Sequence, residues 1–159
     1  MLAEPAEADV DLMLLLGQAS HALNTELTAG LVGAGISPRG HCVLRHALDG
    51  ELTQSELAEQ CGLDKTTMVV TLDELEQAGL ARRRASHADR RARLVWVTAA
   101  GRRKVAQADA IVERIVSDVL ASLPETERRA FTNGLRHLVA DRLSTPVPCA
   151  TPVRRRRAS

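Results

Sequence analysis

Apolar residues recur at helical spacing over most of this chain and at a spacing of two in one short stretch. Leu12, Leu15, Leu16, Ala19, Leu23 and Leu27 repeat every three or four positions and predict a helix over residues 8–33. Gly33 and Gly35 stop it, and Ser37-Pro38 starts the next, an N-cap followed by proline at the first helical position. That second helix, residues 38–48, presents Val43, Leu44, Ala47 and Leu48 before Asp49-Gly50 turns the chain. Thr53-Gln54-Ser55-Glu56 has the form of a capping box, with Leu52 and Leu57 placed as a hydrophobic staple. The short helix it opens ends at Cys61-Gly62, where glycine suits a left-handed conformation. Asp64 caps a further helix running to about Gln77 and stopping at Ala78-Gly79, with Leu63 and Met68 as a second staple.

After Gly79 the spacing changes. Residues 80–84 and 93–97 read as short strands joined by a polar connection, residues 85–92. Thr98 then caps a long helix to about Leu120, striped by Val105, Ala108, Ile111, Val112, Ile115 and Val119. Pro124 opens a last helix, residues 125–142, carrying Phe131, Leu135, Leu138 and Val139. The predicted class is mainly α with a small β-hairpin (α+β). The organisation expected is a flexible N-terminus (1–7), one domain (8–143) and a disordered basic tail (144–159) rich in proline and arginine.

Composition narrows the function. Phe131 and Trp96 are the whole aromatic complement, which excludes a sheet that stacks bases in the manner of RNA-recognition modules. Cys42, Cys61 and Cys149 are odd in number and lack CxxC spacing, as expected in a reducing cytoplasm. The acidic start (Glu4, Glu7, Asp9, Asp11) does not resemble a secretory signal, and no membrane partner is expected. Charge is polarised behind a net +1: residues 1–64 hold ten acidic and two basic side chains, whereas residues 82–104 hold nine basic and one acidic. A basic segment this dense points to a polyanion.

Two short helices joined by Cys61-Gly62-Leu63 make a helix-turn-helix, and its second helix has the diameter to enter the DNA major groove. Met68, Leu72 and Leu75 should face the core, leaving Thr66, Val70, Asp73 and Gln77 outward. Lys65, Thr66 and Thr67 sit at the N-terminal turn, where free amides favour phosphate. Asp73, Glu74 and Glu76 should repel phosphate and restrict base reading to the first half of the helix. The hairpin tip, residues 87–91, carries Arg90 and Arg91 on a projecting loop suited to the minor groove, with Asp89 placed to orient Arg91.

Residues 63–83 (LDKTTMVVTLDELEQAGLARR) and 89–101 (DRRARLVWVTAAG) together resemble the MarR family of bacterial winged-helix regulators. The D-x-R wing tip, the strand ending in Thr98 and Gly101 three residues later carry the likeness, which extends over roughly residues 10–142. The resemblance implies a winged helix-turn-helix (about 38–101) with N- and C-terminal dimerisation helices (about 8–33 and 98–142). It implies a homodimeric repressor on a pseudo-palindromic double-stranded DNA operator, acting in the cytoplasm at the nucleoid and released by a small, often anionic aromatic effector. By position, Lys65, Thr66, Thr67 and Val70 would serve the major groove, Arg91 with Asp89 the minor groove, and Arg82, Arg83, Arg84, Arg90 and Arg93 the phosphates. His21, His41, Arg45 and His46 are candidate effector-pocket residues.

No Ser/His/Asp set, P-loop or dinucleotide glycine pattern appears, so no catalytic residues, no enzyme activity and no cofactor are expected. Cys42 and His46, at i and i+4, offer two soft donors, but spacing identifies no further ligand and no metal site is assigned. The rival reading is a winged helix that docks on protein, with the basic segment incidental.

Overall fold

The computed structural model describes residues 11–50, 52–86 and 92–145. The chain divides into two compact units, Met1–Val116 and Ser117–Ser159.

In the first unit, α1 (Leu12–Leu31) begins on Asp11, whose carboxylate accepts the Leu14 N–H at 2.9 Å. It ends through a 3-10 turn, Val32–Ala34, into Gly35 at φ 64°. The helix therefore stops before Gly33, and of these two glycines it is Gly35 that takes the left-handed position. Ser37 caps α2 (Pro38–His46), accepting the Gly40 N–H at 3.1 Å. This helix is two residues shorter than its spacing predicts, because the Leu48 and Gly50 amides turn back to Arg45 and Ala47 carbonyls.

The capping box of α3 (Gln54–Gln60) is complete: the Glu56 N–H donates to Thr53 Oγ1 at 3.2 Å and the Thr53 N–H donates to Glu56 Oε2 at 2.7 Å. The Thr53 N–H, and after it the Thr53 hydroxyl donating to the same oxygen at 2.8 Å, hold the Glu56 carboxyl below its ordinary value. Gly62, at φ 62°, turns the chain into α4 (Lys65–Gln77). Val43, Leu44, Leu57, Met68, Leu72, Val95 and Val105 pack into one core and are fully or almost fully buried. Each such side chain contributes about 1.5–3 kcal/mol of apolar burial.

The hairpin is β1 (Ala81–Ala85) paired antiparallel with β2 (Arg93–Val97), Arg83 opposite Val95. β1 begins one residue later than the alternation predicts, because the Leu80 N–H closes the end of α4 on Leu75 O at 2.9 Å. The segment before α3 adds a contact the sequence did not announce. Val95 N–H donates to Leu52 O at 3.1 Å, and Thr53 bridges Leu94.

α5 (Ala99–Ala121) starts on Thr98, which accepts the Gly101 N–H at 3.0 Å and donates its own hydroxyl to Gly79 O at 2.8 Å. In the second unit, α6 (Glu125–Ala140) buries no residue, and Phe131, Leu135, Leu138 and Val139 are all exposed. Within the first unit, Leu12, Met13, Leu14 and Leu15 of α1 are likewise exposed.

Gly101 sits where no side chain fits: a Cβ there would lie 2.1 Å from the Leu80 carbonyl oxygen and 2.7 Å from Val97 Cγ1. Gly101→Ala should therefore destabilise the fold by about 1–3 kcal/mol through overpacking against backbone. Urea unfolding checks this; a midpoint equal to that of the parent would show that α5 can shift freely.

Candidate nucleic-acid interface

The geometry of α4 follows from its cap. Asp64 accepts the Thr67 N–H at 2.9 Å and the Thr67 hydroxyl at 2.6 Å, which lowers the Asp64 carboxyl below its ordinary value. Met68, Thr71, Leu72 and Leu75 are buried, and the Thr71 hydroxyl is spent on Thr67 O at 2.8 Å. Lys65, Thr66, Val69 and Val70 are exposed, with Val70 half so. Thr66 and Val70 stand where their spacing predicts. Val69 joins them, since a helix face about 100° wide takes in both valines. The Thr67 hydroxyl is engaged in the cap, so its part at the helix start is structural first.

The three arginines of β1 divide by strand alternation. Arg83 turns to α4: its backbone N–H donates to Glu76 Oε1 at 2.6 Å, its Nε to Glu76 Oε2 at 2.9 Å, and its Nη2 also reaches Asp73. Hydrogen bonds from Arg83 hold the Glu76 carboxyl down, and those to Glu76 and then Asp73 hold the guanidinium pKa up. Arg83 is thus occupied inside the fold, where a phosphate contact was expected. The same clamp engages two of the three carboxylates expected to repel phosphate, one guanidinium offsetting one of their two charges, and Glu74 stays exposed.

Arg82 and Arg84 point the other way and are exposed. The Arg84 guanidinium lies 5.6 Å from the centroid of the Trp96 ring, and both arginines line a shallow cavity of about 290 Å³ with Trp96. Arg93, exposed at the loop end of the hairpin opposite Ala85, lines a second cavity of about 310 Å³ with Lys65, Thr53, Gln54 and Ser55. The sequence marks Gln54 and Ser55 only as parts of a cap. Their approach to Lys65 depends on how α3 meets α4, for which the sequence has no local signal. The wing tip, with Asp89, Arg90 and Arg91, lies outside the described residues.

The four effector candidates separate. His41, buried on α2, has Nε2 2.7 Å from Asp109 Oδ1, and Arg45 Nη1 reaches the same oxygen at 2.6 Å. Burial opposes ionisation of Asp109, but the bonds from His41 and Arg45 outweigh it and its carboxyl titrates below the ordinary value. His46 instead lies against Cys42, and His21 is exposed on α1. The Cys61 thiol donating to Cys42 outweighs burial and lowers the Cys42 thiol to about 6, while the same bond pushes Cys61 up.

Comparison with known proteins places this geometry. The model of the MarR family matches residues 34–92. An HTH-type transcriptional repressor of Mycobacterium tuberculosis is 31% identical over 134 residues, covering 84% of this chain and 96% of the relative. Its solved complex with p-aminosalicylic acid superposes with a TM-score of 0.67 at 29% identity, over 81% of this chain and 98% of that one. CouR of Rhodococcus jostii RHA1, bound to p-coumaroyl-CoA, gives a TM-score of 0.71 at 28% identity, over 91% of this chain and all of CouR. CouR bound to a 23-mer DNA duplex gives 0.71 at 25% identity, over 88% and 99% of the two chains.

The Arg83 clamp makes a signed prediction. Because Arg83 lowers the Glu76 pKa in the folded state, its stabilisation is complete above the unfolded Glu value of about 4.3 and fades as pH falls through the folded value. Arg83→Met should cost about 1–2 kcal/mol at neutral pH, allowing for partial solvent screening, and progressively less in acid. Urea midpoints of parent and variant across that range measure it; a gap independent of pH contradicts the clamp.

Proposed function

This chain belongs to the MarR family of transcriptional regulators, and from that premise we propose that it is a homodimeric repressor. It reads a pseudo-palindromic double-stranded DNA operator and leaves it when a small anionic aromatic effector binds. The observation that carries the reading is the outward face of α4, where Lys65, Thr66, Val69 and Val70 project from a helix packed on its other side. In the major groove the Thr66 hydroxyl meets a base edge and the valine methyls meet thymine methyl groups. Lys65 holds phosphate at the start of the helix, while Thr67, whose amide and hydroxyl are both spent on Asp64, fixes that start in place. Arg82, Arg84 and Arg93 serve the backbone on either side, and Arg91, oriented by Asp89 and flanked by Arg90, enters the minor groove.

The DNA complex of CouR supports the first half of this reading. The p-coumaroyl-CoA and p-aminosalicylic acid complexes of the two relatives support the second, since both ligands join an aromatic ring to an anionic group. Dimerisation is supported by the apolar side chains left exposed on α1 and, separately, on α6. A twofold protein then requires a twofold site. An effector carboxylate that competes with Asp109 for Arg45 and His41 loosens the tie between α2 and α5, which gives release a physical route. His46 and His21 are retained as outer candidates for that cleft. Among the described residues no helix is long and apolar enough to cross a membrane.

The test is fluorescence anisotropy at fixed salt on a duplex selected from a randomised pool. Arg91→Ala should weaken binding by about 1–3 kcal/mol on every sequence while sedimentation shows the same dimer, and Thr66→Ala should change the preferred bases. Binding unaltered in both variants would remove the proposed groove contacts. Affinity that does not fall with salt would favour a protein-docking module instead.

A further inference from the structure

α2 and the turn of the helix-turn-helix bring three soft donors to one place. Cys42 and His46 lie one turn apart on α2, and Cys61 ends α3. Their ligand atoms all lie within 4.8 Å of one another, and Cys42 Sγ is 3.7 Å from His46 Nδ1. A tetrahedral zinc ion, with Zn–S about 2.3 Å and Zn–N about 2.0–2.1 Å, has edges of about 3.8 Å between sulfurs and about 3.6 Å between sulfur and nitrogen. One edge is therefore already formed, and the other two need close by no more than about 1.2 Å.

The donors stand on firm backbone. Cys42 is followed by the fully buried Val43 and Leu44, and the Cys61 N–H is fixed to Leu57 O at 2.9 Å. Both cysteines are half-buried and His46 is exposed, so solvent reaches the histidine side. Two sulfurs and an imidazole are a donor set for zinc rather than for magnesium or calcium, which take oxygen.

We propose that Cys42, His46 and Cys61 form a zinc(II) site, with a water as fourth ligand on the exposed side. The thiols bind as thiolates and their two protons pass to solvent. The His46 Nδ1, now 2.9 Å from Cys42 O, gives up that contact for the metal, and the ring proton resides on Nε2. Because Cys61 lies three residues before the Asp64 cap, the metal clips α2 to the turn that aims α4. The site stands on this geometry alone and does not depend on the DNA contacts.

The full-length, reduced chain is titrated anaerobically with cobalt(II) as a coloured stand-in for zinc. A thiolate-to-cobalt charge-transfer band and tetrahedral ligand-field bands should saturate at one ion per chain and vanish on adding one equivalent of zinc. Cys42→Ser and Cys61→Ser should each abolish the charge-transfer signature while circular dichroism stays helical, and Cys149→Ser should change nothing. His46→Gln, at an exposed position, should keep its fold and lower zinc affinity by at least about tenfold. Absence of the charge-transfer band, its loss in Cys149→Ser, or parental affinity in His46→Gln overturns the site. A reduced chain that ignores both metals and forms only a Cys42–Cys61 disulfide in air overturns it as well.

Discussion

One backbone carbonyl, that of Leu80, joins the parts of the first unit. It accepts the Thr98 N–H at 3.0 Å and the Thr98 hydroxyl at 3.2 Å, and it lies against Gly101 so closely that only glycine fits. The N–H of the same residue closes α4 on Leu75. The end of the proposed recognition helix, the start of the hairpin and the start of α5 are thereby held through a single peptide neighbourhood. Each bond is worth about 0.5–1.5 kcal/mol net, but a buried amide left without a partner costs more, so the set is kept or lost together. The angle between α4 and the wing is consequently a property of the backbone, and the surface of α4 can vary in sequence without disturbing it.

Most of this frame was legible because its signals are local. A capping box, an Asx cap, a proline at the first helical turn and glycines at helix ends lie within four residues of the bond they make. The Thr53, Asp64, Ser37 and Gly62 features are accordingly found where their sequence puts them. The pairing of Val95 with Leu52 joins residues more than forty positions apart and has no such signal. The strand boundary at Leu80 has no local signal for a related reason: alternation marks which side chains are buried but not where each amide is spent.

The site was legible by residue type and less so by role. Nine cations between residues 82 and 104 suggest a single polyanion surface, yet the fold uses several of them itself. Arg83 braces α4, Arg102 donates to Leu48 O at 2.7 Å, and Lys104 donates to Ala34 O at 2.6 Å. A charge count cannot separate cations that hold the chain together from those offered outward, because the distinction lies in which carboxylate or carbonyl the tertiary fold brings near. Cys61 and Asp109 illustrate the same limit. Each becomes informative only beside a helix remote in sequence, Cys61 next to Cys42 and Asp109 next to His41.

Trp96 has a consequence of a different kind. It is the single tryptophan of a chain without tyrosine, half-exposed, capped by Arg84, and set so that a Cβ at Gly50 would lie 3.2 Å from its ring. Tryptophan emission therefore originates from one address, the root of the hairpin, while Phe131 on α6 absorbs at shorter wavelength. A spectroscopist watching this protein observes one joint of it at optical resolution and is blind to the remainder. That joint is the one where the hairpin meets the loop after α2, so the molecule carries a built-in optical reporter of that contact.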